Sequence, residues 1–113
     1  MPHCIVEYSS DIQPQTLLEN VYQGTLDSEL FDKSGGKDIK VRALSYENFS
    51  IGDAQVKSFI HITLKILSGR NREQKQHLSD TVLAKVLKQG FTACSVSVEV
   101  LDIDRSSYAK EIV

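Results

Sequence analysis

A chain of 113 residues, 41% hydrophobic and 25% charged, has the length of one domain and an ordinary globular composition, unlike a disordered tail or a collagen. Its 13 Lys and Arg against 15 Asp and Glu give a formal net charge of -2, which argues against general nucleic-acid binding but leaves a small anionic substrate open. No stretch suits a membrane span or a secretory signal, and Cys4 and Cys94 lack metal or redox spacing, so the expectation is a cytoplasmic protein with reduced, structural thiols.

Residues 3–8, HCIVEY, read as a first strand, and SSDIQP after it carries turn and capping residues. Pro14 suits the first turn of a helix, and Leu17, Leu18, Val21, Tyr22 and Leu26 follow at helical spacing, predicting a helix over 13–26. DKSGGKD is a loop, broken at Gly35-Gly36. Residues 39–46, IKVRALSY, make a second strand. Residues 58–67, SFIHITLKIL, make a third, with Ile60, Ile62, Leu64 and Ile66 on one face and Phe59, His61, Thr63, Lys65 and Leu67 on the other. After SGRN, Asn71 with Gln74 three residues on has the form of a capping box. Leu78, Val82, Leu83, Val86, Leu87 and Phe91 mark a second helix ending near Gly90, and residues 95–103, SVSVEVLDI, are the last strand.

The order is β-α-β twice, in one domain over 1–113 with pseudo-repeats about 2–47 and 57–103. Each βαβ unit implies a parallel strand pair. The predicted class is α+β: a four-stranded mixed sheet with two helices on one face. The other face, partly apolar through Phe59 and Leu67, then calls for an oligomer to cover it.

Several residues carry two readings each. Pro2 either starts a strand where its missing N–H costs nothing or, once Met1 is removed, presents a secondary amine. Burial or a neighbouring cation would hold that amine neutral, and a neutral amine is a general base that can return the proton as an acid. Arg70 in SGRN is either a solvated first-turn residue or a planar fork for a carboxylate at a helix start. Lys40 and Arg42, two apart on a strand, point to one face, as an edge protector or as an anion site. His61 reads as a buried, hydrogen-bonded histidine, and no ligand spacing supports a metal. Motifs of serine hydrolases, nucleotide hydrolases and dinucleotide enzymes are missing.

PHCIVEYSSDI, the basic-x-basic strand IKVR and the block FIHITLKILSGRN together resemble the 5-carboxymethyl-2-hydroxymuconate Δ-isomerase branch of the tautomerase superfamily over most of the chain. The resemblance implies a cofactor-free, metal-free isomerase of aromatic catabolism, assembled as a homotrimer with sites near subunit boundaries. It implies Pro2 as acid/base, Arg70 as the arginine that polarises a carboxylated enol, and Lys40 and Arg42 as a substrate-binding pair. The implied reaction converts 5-carboxymethyl-2-hydroxymuconate, or a similar carboxylated 2-hydroxydienoate, to its 2-oxo isomer. Two alternatives stand beside it: a tautomerase of another 2-oxo acid such as phenylpyruvate, and a non-catalytic trimeric module that binds small carboxylates. The sequence departs from the family pattern where Lys40 replaces an arginine, Cys4 a large apolar residue and Asp11 an asparagine.

Overall fold

The computed structural model describes residues 1–31 and 35–113. Its elements run β1 (His3–Ser9), α1 (Pro14–Asp27), β2 (Lys40–Tyr46), β3 (Ser58–Leu67), α2 (Arg72–Leu87) and β4 (Cys94–Ile103), followed by a short 3-10 turn, Arg105–Ser107. The expected loop DKSGGKD falls partly outside the described residues, at 32–34. Helix α1 begins with proline in its first turn, as expected, but Gln13 caps it without a side-chain hydrogen bond, so the capping residues of SSDIQP are not used there. The expected capping box of α2 is present. Asn71 Oδ1 accepts from the Gln74 amide at 2.8 Å, and Gln74 Oε1 accepts from the Asn71 amide at 2.9 Å, satisfying two of the helix's orphan donors.

The sheet order is β2-β1-β3-β4, with β1 parallel to β2, β3 parallel to β4, and β1 antiparallel to β3. The two βαβ units therefore meet back to back. Strand alternation decides the layers: Cys4, Val6 and Tyr8 of β1 and Ile60, Ile62, Leu64 and Ile66 of β3 are buried against Leu17 and Val21 of α1 and Leu78, Val82 and Val86 of α2. Each fully buried aliphatic side chain contributes about 1.5–3 kcal/mol by leaving water, so this layer holds the fold. Leu87, counted with the apolar stripe of α2, is 51% exposed. The buried residues of α2 recur every four positions, and a residue one step past Val86 is turned about 100° off that line.

The helices touch closely at one point. A Cβ added to Gly24 would stand 3.0 Å from the Val82 Cα and 3.3 Å from the Lys85 Cβ. Glycine is normally unfavourable inside a helix, but here it lets two backbones approach. Gly24→Val should lower the free energy of unfolding by about 1–3 kcal/mol through overpacking. Urea denaturation measures this, and a variant as stable as the parent would mean the helices separate without cost.

The opposite face of the sheet carries His3, Ile5 and Glu7, then Lys40, Arg42, Leu44 and Tyr46, then Phe59, His61, Thr63, Lys65 and Leu67, by the same alternation and register. Among the described residues no helix lies over it. Cys4 and Cys94 are free thiols. No helix among the described residues is long and apolar enough to cross a membrane.

Candidate functional site

Pro2 is fully buried at the entry to β1, and its carbonyl accepts from the Lys40 amide at 3.1 Å. Strand pairing thus starts at Pro2 without needing an N–H from it. The residue before it is held in place: the Met1 ammonium donates to the Asp38 carbonyl at 2.9 Å. In the antiparallel ladder His3 faces Lys65, so two residues outward along the same register Met1 comes opposite Leu67. There Met1 helps to line a hollow of about 90 Å³, together with Phe31, Leu67, Arg70 and Arg105.

Arg70 follows the turn that ends β3. Gly69 at φ 131 adopts backbone geometry that other residues reach only with strain. The Arg70 guanidinium donates to the Leu30 carbonyl at 2.8 Å and lies 5.4 Å from the centre of the Phe31 ring. Both contacts fix its plane and leave donors over.

Lys40 and Arg42 share the open face of the sheet, as expected, at its edge strand. Lys40 Nζ donates to the Asp38 carbonyl at 3.1 Å. Arg42 is within hydrogen-bond reach of His3 Nδ1 at 3.2 Å, and His3 Nε2 meets the Tyr108 hydroxyl at 3.0 Å. This end of the molecule is electropositive. Burial and then Lys40 lower the pKa of the Met1 ammonium from its ordinary value. Burial and then Arg42, with the N-terminus, Lys40 and Lys65 behind them, lower that of His3. In each case desolvation and neighbouring positive charge disfavour the protonated form.

The structure therefore brings the four sequence-derived residues to one end of the sheet. Lys40 and Arg42 approach the chain start from the open face, and Arg70 reaches Met1 through the small hollow. Arg105 was missed. The signal for it lies in the parallel pairing of β3 and β4: Leu67 pairs with Ile103, so continuing the register brings residue 105 beside residue 69. His61 needs a correction. It is hydrogen-bonded, as expected, to Ser97 Oγ at 2.7 Å and Glu99 Oε2 at 2.5 Å, but its side chain is 34% exposed, not buried, because it lies on the uncovered face. No group of three metal-ligating side chains occurs among the described residues. A wider hollow of about 340 Å³ lies along α2 and β4 with Arg72 and Lys75 in its lining, but Lys75 is already paired with Asp102 at 3.1 Å.

The family model described as 5-carboxymethyl-2-hydroxymuconate isomerase matches residues 2–111. No curated protein matches the chain. Among solved structures, a 5-carboxymethyl-2-hydroxymuconate isomerase from Deinococcus radiodurans R1 is 22% identical, covering 97% of this chain and 88% of its own, with a TM-score of 0.77. A 5-carboxymethyl-2-hydroxymuconate delta-isomerase is 16% identical over 100% of this chain and 89% of its own, with a TM-score of 0.73. A fused 4-OT described as a symmetric trimer is 16% identical over 96% of this chain and 90% of its own, with a TM-score of 0.76. At these identities the structures establish the shared fold.

Proposed function

From the premise that the chain belongs to the 5-carboxymethyl-2-hydroxymuconate isomerase family, we propose that it isomerises a carboxylated 2-hydroxydienoate to its 2-oxo form with the amine of Pro2 as acid and base. The family is one of isomerases, and the best substrate reading is 5-carboxymethyl-2-hydroxymuconate itself. One observation carries the proposal: Met1 and Arg70 line the same hollow, so removal of Met1 would open the chain start, and with it the Pro2 nitrogen, to an arginine-lined space. Burial and Lys40, which lower the pKa of the Met1 ammonium, also act at the neighbouring residue and would favour a neutral proline amine.

The steps follow from charge. Neutral Pro2 takes the proton of the 2-hydroxyl group, and negative charge spreads over the dienolate. Arg70, with Lys40 and Arg42, holds the carboxylates and stabilises that charge; preorganised cations of this kind supply much of such catalysis. Pro2 then delivers its proton to the distant carbon of the conjugated system. The enol becomes a ketone, the double bond shifts, and no atom is gained or lost.

Assembly belongs to the same proposal. The open face exposes Leu44 by 56% and Leu101 by 43%, beside Ile5, Phe59 and Leu67. A sheet with one apolar layer and a second, partly apolar face is stabilised by copies of itself. The trimeric form of the fused 4-OT supports a homotrimer.

The test pairs an intact mass with an ultraviolet assay on 2-hydroxymuconate-type enols. Loss of Met1 together with enzymatic collapse of the enol band supports the isomerase. Retained Met1 and an unchanged band leave a trimeric carboxylate-binding module as the better reading.

A further inference from the structure

Arg105 opens the 3-10 turn after β4 and lines the same hollow as Arg70. Its setting is built. The Asp104 carboxylate, the nearest in the chain, is occupied by the Ser106 amide at 3.0 Å and the Ser106 hydroxyl at 2.7 Å. Arg105 Nε and Nη2 both donate to the Ser68 carbonyl, at 3.1 and 3.0 Å. Two of the five guanidinium N–H groups are thus used, and three are left over. Its Nη2 also lies near Gly69, 3.7 Å from where a Cβ would stand.

The single turn Ser68–Arg70 therefore fixes two guanidiniums, Arg70 as its own side chain and Arg105 through the Ser68 carbonyl. Neither is ion-paired among the described residues. Phe31, Leu67 and Met1 supply the apolar remainder of the lining. Two cations on one small hollow repel each other unless an anion lies between them, and a planar carboxylate matches the fork of each.

We propose that Arg105 is a second carboxylate-binding residue, and that Arg70 and Arg105 together clamp one carboxylate of the enol acid. A further carboxylate then falls to Lys40 and Arg42, so the pocket selects acids with two or more carboxylates over monocarboxylates. The inference rests on the reading of the Met1 hollow as the place where substrate meets Pro2.

The probe is cis,cis-muconate, a dicarboxylate without the 2-hydroxyl group and hence unable to undergo the reaction. Calorimetric titration of the purified protein reads binding alone. Arg105→Met should weaken muconate on the order of 10–100-fold, the worth of charged hydrogen bonds, with Arg105→Lys between it and the parent. Arg105→Gln keeps an amide donor for the Ser68 carbonyl but removes the charge, so it should lose as much affinity as Arg105→Met. It carries the test if Arg105→Met fails to fold. Full affinity in Arg105→Gln would make Arg105 a strut for the turn and overturn the clamp, as would a parent protein that does not bind muconate. Loss of muconate in a protein that turns over no enol would keep the clamp and remove the isomerase reading. Turnover with muconate affinity indifferent to Arg105 would do the reverse.

Discussion

A form of the protein that keeps Met1 should turn over 2-hydroxydienoates about 10²–10⁴-fold more slowly than the form that begins at Pro2, the usual worth of a general acid–base group. The reason is electronic. Behind Met1 the proline nitrogen is an amide, its lone pair is delocalised, and it cannot take a proton at neutral pH. Met1 is also in the way, beside Leu67, Arg70 and Arg105. Pro2→Ala, with removal of Met1 verified by mass, should fall between the two forms, because a primary amine remains but the ring that orients it is gone. A variant that turns over at the parental rate would end the proline mechanism. The pH profile adds a sign that can be checked. The rate needs the neutral amine, so kcat/KM falls as pH drops through the amine pKa. Burial and the charge of Lys40 lower the pKa of the Met1 ammonium, and the same two causes would act on a Pro2 amine. Lys40→Met removes that cation, raises the amine pKa and should move the acid limb to higher pH. An unmoved limb would mean that Lys40 does not act on the base.

The sheet and its helices were legible because their periods are simple. The alternation in FIHITLKIL assigns Ile60, Ile62, Leu64 and Ile66 to the core, and all four are buried there. Asn71 and Gln74 announce the start of α2 through a local reciprocal bond. His61 misleads because alternation tells which face a residue takes, not whether that face is covered. Leu87 misleads because apolar character was counted beyond the stripe that meets the sheet. The C-terminal segment was illegible for a different reason. Tyr108 returns to His3, Lys110 pairs with Asp38 at 3.2 Å, and Arg105 grips Ser68. These contacts join residues far apart in the chain and leave no periodic trace. For the candidate site, Pro2 and Arg70 were found through a motif, whereas their meeting at Met1 depends on the register between β1 and β3.

Arg70→Ala should lower kcat/KM on the order of 10²–10³-fold, the cost of removing one preorganised donor from developing charge. The competing account is structural, and the geometry gives it substance: Arg70 holds the Leu30 carbonyl at 2.8 Å and lies over Phe31. Those contacts are a hydrogen bond to a charged donor and a cation–π contact, together about 2–4 kcal/mol at most in a half-buried setting. If they are the whole role of Arg70, the variant loses stability and any loss of turnover follows the folded fraction. If Arg70 binds the enolate, turnover falls in protein whose thermal midpoint and assembly are nearly those of the parent. Arg70→Lys sharpens the contrast. It keeps a cation near Phe31 but gives up the planar fork, so it should recover stability more fully than turnover. Equal recovery of both would favour the strut. The same logic separates Arg70 from Lys40 and Arg42. A residue that stabilises the dienolate lowers kcat when removed, whereas one that grips a carboxylate equally before and during reaction raises KM and leaves kcat in place. We expect both effects for Arg70, which shares the hollow with Met1 and both grips a carboxylate and meets the developing charge, and the second alone for Arg42, which reaches only His3 among its described side-chain contacts.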